Sequence, residues 1–201
     1  MNKFPKKGVK ATIIVAHPDD ETIFCGGTML TYPEWEWNII CMTHRRESIR
    51  GIQFRRAIKY LEFFGVNVVS NTMSGMEDEG QDLTEKDKGK WKLALMHNNI
   101  KSDVIFTHNS KGDYLANHHI ELNKIVRELY EGVWEFICPA VTNIVPVPFR
   151  EEISVVPLSR NVLDKKTELF NRCYTSELLA YKNLPEVMVY EFKTGPEIFT
   201  S

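Results

Sequence analysis

Six residues, Ala11-Thr12-Ile13-Ile14-Val15-Ala16, form a run that is apolar and β-branched almost throughout, and it ends abruptly at His17-Pro18-Asp19-Asp20-Glu21. A run without polar alternation suits a strand buried on both faces, as in a parallel sheet covered by helices. Pro18 restricts His17 to extended backbone and ends the strand there. From Glu21 onward, Ile23, Phe24, Met29 and Leu30 suit a helix, and Gly26-Gly27 allows its backbone to approach the strand closely. A buried strand, a polar turn and a helix make the opening of a parallel α/β sheet.

The rest of the chain repeats the alternation. Asn38–Thr43 reads as a second buried strand. Ile49–Phe64 has the helical period, with Ile52, Ala57, Ile58, Leu61 and Phe64 near one face and Gly65 as its stop. Val66–Val69 is a third strand, and residues 74–90, rich in Gly, Asp, Glu and Lys, read as a loop. Trp91–Ile100 is expected to be helical, Asp103–Thr107 a fourth strand, His108–Asn117 a polar loop and Ile120–Tyr130 a helix. Short strands at Glu135–Ile137 and Ile144–Val147, a helix over Leu163–Tyr174 and a further strand candidate at Val187–Phe192 complete the pattern. The expected class is α/β: a Rossmann-like three-layer sandwich with a mostly parallel sheet, in a single domain over residues 1–201.

Composition removes several function classes. A net charge of -2 with no long basic block gives no electrostatic footprint for nucleic acid. The pairs Arg45-Arg46 and Arg55-Arg56 are read as solvated faces or local substrate contacts. Cys25, Cys41, Cys138 and Cys173 are widely separated, which argues against a cysteine zinc site, and Cys25 and Cys41 are expected as buried reduced thiols. No stretch has the signature of a signal peptide or a membrane span, so a cytoplasmic protein is expected. No G-x-G-x-x-G follows the first strand, which excludes a dinucleotide-binding oxidoreductase.

His17, Asp19 and Asp20 follow the first strand, where open α/β sheets place ligands beyond the carboxyl ends of their strands. A neutral imidazole and a carboxylate three residues apart can reach one ion, and these donors suit zinc, iron(II) or a similar divalent metal. Two adjacent carboxylates point different ways, so one can ligate while the other contacts the water that the metal activates. A surface turn with a helix N-cap at Asp19 or Asp20 is the plainer alternative, and for Asp-Asp-Glu alone the better one. The strand before it, the His-Pro pair and the Gly pair after it reverse that preference.

Ala16-His17-Pro18-Asp19-Asp20-Glu21 followed by Cys25-Gly26-Gly27-Thr28 resembles the signature of the LmbE-like, or PIG-L, de-N-acetylase family. The resemblance implies an LmbE-like fold, with His17 and Asp20 as metal ligands and Asp19 as general base. A second family motif, supplying the third ligand from the start of a helix, resembles Gly112-Asp113-Tyr114 through His118-His119-Ile120. The histidine doublet leaves the register open; His119 is preferred as ligand because Tyr114 and the continuation Ile120-Glu121-Leu122 then match best. Many relatives carry another histidine three residues before the ligand, where this chain has Ala116, or Leu115 in the other register. His108, the spare histidine or water is a candidate replacement for that proton donor, and the plainer reading of the spare histidine is a residue that backs the site or is exposed. By the same resemblance Glu47, Arg50 and Tyr114 are candidate substrate contacts, although Thr43-His44-Arg45-Arg46-Glu47-Ser48 lacks the glycine of the relatives' Thr-x-Gly-Glu segment. Lys165-Lys166 through Tyr174-Thr175-Ser176-Glu177 resembles the family's late Lys…Tyr-x-Ser-Gln segment.

The implied function is a zinc-dependent N-deacetylase (with iron(II) as the other candidate metal) acting on an acylated amino sugar of the N-acetylglucosamine type, by a metal-activated water and Asp19. No nucleic-acid or membrane partner is expected, and self-association is left open. Trp35, Trp37 and Trp91 are candidates to stack on sugar rings, the first two equally suited to cap the sheet edge. The rival within the fold is a sugar- or ligand-binding protein that has lost the general acid. A metal-dependent phosphoesterase would want more basic residues and a second carboxylate set.

Overall fold

The computed structural model describes residues 4, 8–77, 82–137, 153–176 and 196–201. Strands β1 (Lys10–Val15), β2 (Glu36–Thr43), β3 (Val68–Met76), β4 (Val104–Thr107) and β5 (Val133–Ile137) run parallel. With β6 (Ile153–Val156) and β7 (Glu197–Thr200) they form a seven-stranded sheet of order β3-β2-β1-β4-β5-β7-β6, in which β7 is antiparallel to both neighbours. Helices α1 (Asp20–Thr31), α2 (Ile49–Phe63) and α6 (Arg160–Cys173) cover one face; α3 (Glu85–His97) and α5 (Asn117–Leu129) cover the other. A kinked turn, α4 (Gly112–Leu115), precedes α5.

The expected α/β sandwich is therefore present, and β1 shows why its sequence lacks alternation. Ala11, Ile13 and Val15 pack among Phe24, Phe54 and Leu169 on one side, while Ile14 and Ala16 pack among Trp91, Leu122 and Val126 on the other. All five are fully buried, and each Ile or Val so buried contributes about 1.5–3 kcal/mol. The strand order reverses between β1 and β4, which opens a crevice beyond their carboxyl ends. His17 leaves β1 and His108 leaves β4 at that crevice.

Several expectations are corrected. β3 extends to Met76, well past Val69, because as an edge strand with half-exposed residues it tolerates Ser70, Asn71 and Thr72. α3 starts at Glu85 inside the expected loop: the Thr84 side chain caps the Asp87 N–H, and the first turns are solvated and so carry no apolar period. α5 starts at Asn117, which brings His118 and His119 into its first turn. Ile52 is 44% exposed, since α2 buries Phe54, Ala57, Ile58 and Leu61 instead. Trp35 and Trp37 are fully buried and stacked on each other, so neither meets a sugar. β6 and β7 are strands with no counterpart among the expected elements; the strand candidates at 144–147 and 187–192 lie outside the described residues, as does Cys138. Cys25, Cys41 and Cys173 are buried free thiols, and burial pushes all three up in pKa.

A buried ion pair ties the late elements to α1. Lys166 Nζ donates to Glu197 Oε1 at 2.6 Å and to the Ile23 carbonyl at 2.7 Å. Glu197 in turn accepts from the Gly27 and Thr28 amides and the Thr28 hydroxyl. The pair is thus joined to Ile23 C=O and Gly27 N–H, the two groups of one i→i−4 bond in an ideal helix. A Cβ on Gly27 would come within 2.4 Å of Leu158 Cδ1 and 3.0 Å of Glu197 Oε1, which explains the glycine here. Glu197→Leu strands a buried ammonium and should cost about 3–5 kcal/mol in denaturant unfolding, with part of the loss recovered in the Lys166→Met/Glu197→Leu double variant.

Candidate metal centre

Asp19 begins α1 in a backbone conformation that L-residues rarely adopt, with φ 122° and ψ −32°. The turn is held from several sides. The Asp19 carbonyl accepts from the Thr22 and Ile23 amides, both at 2.9 Å, and its N–H donates to Glu21 Oε2 at 3.1 Å. Glu21 is fully buried and accepts at Oε1 from the Thr22 and Tyr174 hydroxyls, each at 2.6 Å. Burial raises the pKa of Glu21 against those hydrogen bonds. Three successive carboxylates therefore diverge: Glu21 enters the core toward α6, Asp20 faces the histidines, and Asp19 meets Arg50. Arg50 Nη2 reaches Asp19 Oδ1 at 3.1 Å and the Pro18 carbonyl at 2.8 Å.

The histidines are ordered by a second buried carboxylate. The Ala16 amide donates to His108 Nε2 at 3.0 Å, which puts the His108 proton on Nδ1, from where it is donated to Asp113 Oδ2. The same Asp113 oxygen pairs with His119 Nδ1 at 2.9 Å. Asp113 is itself at positive φ (61°) and is held at Oδ1 by the Asn109 side-chain amide at 2.9 Å. Burial opposes its charge, yet the two histidines keep its pKa below the usual carboxylate value. A carboxylate behind a histidine fixes the ring orientation and makes the other nitrogen a better donor to a metal.

That other nitrogen, His119 Nε2, lies 3.2 Å from His17 Nδ1 and 3.4 Å from Asp20 Oδ2, and the third side, His17 Nδ1 to Asp20 Oδ2, is 3.5 Å. A tetrahedral ion with bonds of about 2.0–2.1 Å needs ligand separations of about 3.3 Å. Asp20 Oδ1 is also buried without a hydrogen-bond partner among the described residues. Burial disfavours charge on Asp20, but His119 holds its pKa well below normal. Burial likewise opposes a charged His119, and Asp20 with Asp113 carries its pKa up to about 10. The pocket demands a positive charge between Asp20 and His119, which a proton or a metal ion can supply.

The structure brings His17, Asp20 and His119 together, with Asp19 on the adjoining turn and Tyr114 Oη 3.5 Å from His119 Nε2. Burial, with Asp20 and Asp19 nearby, keeps the Tyr114 phenol well above its usual pKa and so protonated. His118 is placed differently: its Nδ1 is 3.1 Å from His17 Nε2, on the far side of the His17 ring. Glu47 is exposed in the β2–α2 loop. His108 is fully buried with both nitrogens engaged, which removes it as an accessible proton donor. Asp113, Glu21 and Tyr174 support the site from behind; each lies inside a motif of the sequence, but no local pattern there marks that role. Beside His118, a polar cavity of about 560 Å³ is lined by Met76, Thr84, Lys90 and Trp91, among others. Asp113→Ala frees the His119 ring and should weaken zinc affinity about 10–100-fold in a competition titration.

Residues 12–130 match the family described as PIG-L: GlcNAc-PI de-N-acetylase. An uncharacterized protein, L374 of Acanthamoeba polyphaga mimivirus, is 23% identical over 128 residues, covering 58% of this chain and 56% of that protein. The match thus spans little more than half the length of this curated relative. Among solved structures, a deacetylase triple mutant of the teicoplanin biosynthetic pathway superposes with TM-score 0.69 at 11% identity, over 96% of this chain and 97% of its own. The N,N'-diacetylchitobiose deacetylase of Pyrococcus horikoshii gives TM-score 0.62 at 15% identity, over 98% of this chain and 85% of its own. At such identities the structural likeness establishes the fold, and the family match over more than half of the sequence establishes kinship: the chain belongs to the PIG-L de-N-acetylase family.

Proposed function

We propose that the protein is a metal-dependent hydrolase, folded as one domain, that removes an acyl group from the amide nitrogen of an acylated amino sugar. The observation that carries this is the near-equilateral triangle of His17 Nδ1, His119 Nε2 and Asp20 Oδ2, with a carboxylate on the next residue that is not part of it. Nitrogen and oxygen donors at these separations suit zinc, or iron(II), and leave a coordination position open. A divalent ion held there would lower the pKa of a water toward about 7 and polarise the amide carbonyl.

The chain's own residues divide the remaining work. Asp19, oriented by Arg50, takes a proton from the attacking water as its oxygen bonds to the carbonyl carbon. Tyr114 keeps its proton and donates a hydrogen bond to the carbonyl oxygen as negative charge builds there. The C–N bond then breaks, and the nitrogen takes up the proton that Asp19 holds. With its Nδ1 directed at the ion, His17 carries its proton on Nε2 and donates it to His118, so His118 orients His17 as Asp113 orients His119. Glu47, exposed in the β2–α2 loop, and Arg50, acting through Asp19, are the remaining candidate substrate contacts.

The amino-sugar substrate rests on kinship, since the family's description and the two solved neighbours all name de-N-acetylation or deacetylases. The cavity beside His118 is of a size that suits a sugar unit. One observation favours a second reading, a ligand-binding protein of weakened activity. Ala116 stands where many relatives have a histidine, and His108 cannot replace it. A zinc-loaded protein that binds an N-acetylhexosamine tightly and never releases acetate would establish that alternative.

Two substitutions test the division of labour. Asp19→Asn should retain one equivalent of metal and lose about 10²–10⁴-fold in amide hydrolysis; full turnover would remove Asp19 as the base. His119→Ala should abolish stoichiometric metal by elemental analysis, whereas His118→Ala should keep the ion with affinity lowered about tenfold. The opposite ranking would transfer the third ligand to His118.

A further inference from the structure

The exposed Ile52 belongs to a pattern on α2. Ile52, Arg55, Arg56, Lys59 and Glu62 recur at three- and four-residue spacings, so they share one face of the helix. They line a surface cavity of about 450 Å³ together with Asn71 of edge strand β3 and Arg46. Arg46 reaches the cavity because the loop before α2 lies directly on its first turn: a Cβ on Gly51 would come within 2.1 Å of the Arg45 carbonyl oxygen. Arg46 and the Arg55-Arg56 pair thus converge on one groove, whereas the Arg45 side chain lies toward Gly75.

The groove concentrates charge against the balance of the chain. Four cations face one carboxylate, Glu62, in a protein of net charge -2. Such like-charge crowding is unfavourable unless an anion relieves it. Arg55 Nε is moreover buried with no hydrogen-bond partner among the described residues, an arrangement that is unfavourable unless a ligand supplies the acceptor. Arg56 Nη1 also donates to the Arg172 carbonyl at 3.3 Å, which steadies one wall from α6. Arg50 of the same helix turns instead to Pro18 and Asp19, so the groove and the metal centre use different side chains.

We propose that this groove binds a phosphate-bearing small molecule at a site separate from the metal centre. Planar guanidinium forks match the paired oxygens of a phosphate, and three arginines with a lysine can satisfy a doubly charged group. Ile52, 44% exposed, offers apolar surface to the uncharged remainder of the ligand, and the volume fits one sugar-sized unit. The phosphate can belong to a free sugar phosphate or to a lipid headgroup.

The test is calorimetric titration of the full chain with glucose 6-phosphate and with glucose, beside sedimentation with phosphatidylcholine vesicles that contain or lack phosphatidic acid. Saturable binding of glucose 6-phosphate, absent for glucose, is expected and assigns a free ligand. Binding only to the phosphatidate vesicles assigns a headgroup. Arg55→Gln/Lys59→Gln should weaken whichever binding is seen by about tenfold or more, and the exposed Arg56→Gln by a smaller factor, with bound metal unchanged. No phosphate-dependent binding by either probe, or undiminished binding in the double variant, overturns the proposal.

Discussion

The turn at Asp19 is the constraint on which the rest of the site depends. A parallel strand buried on both faces must release its chain into a helix within a few residues, and Pro18 stops the strand where that release begins. The backbone then adopts φ 122° at Asp19, and three successive carboxylates leave it in three directions. Strain of that kind costs of order 1–3 kcal/mol and persists only where the surroundings over-determine it. Here the surroundings are the Glu21 carboxylate with Tyr174 behind it, the helix amides on the Asp19 carbonyl, and Arg50 on its side chain.

A second buried carboxylate plays the corresponding part at the end of β4. Asp113, also at positive φ, takes hydrogen bonds from two histidine rings, and His108 accepts the amide of Ala16. That last bond joins the two halves of the crevice, because Ala16 precedes His17 and His108 precedes the α4–α5 segment. Both halves meet at the reversal of strand order, so the sheet topology brings His17 and His119 together across 102 residues of sequence. The Lys166–Glu197 pair then fixes α6 and β7 against the middle of α1, and so supports the turn from its helical side.

α2 serves two regions of the molecule. Its first turn sends Arg50 to Asp19, while the face bearing Arg55 and Lys59 borders the edge strand and stays open. The apolar period of this helix is accordingly imperfect: Ile52 belongs to the groove and only Phe54, Ala57, Ile58 and Leu61 to the core. A pattern of apolar positions cannot distinguish a residue that packs under a sheet from one that borders a ligand groove.

The parallel core was legible in the sequence because Ala11–Ala16 and Asn38–Thr43 are buried on both faces, and burial of that kind leaves no polar alternation. The convergence of His17, Asp20 and His119 was legible because their motifs sit at chain reversals, where few residue types serve. β7 and the start of α3 were not. β7 is four residues whose pairing is antiparallel and non-local, and the first turns of α3 are solvated, so neither leaves a periodic signal. The sequence by itself determined the class of fold, the family and the set of nitrogen and oxygen donors that the turn carries. Tertiary structure alone decided that Asp113 aligns His119, that His118 backs His17, and that four cations converge beside β3. Those facts depend on which side chains meet across the strand-order reversal and along one helix face, and local sequence carries no record of such meetings.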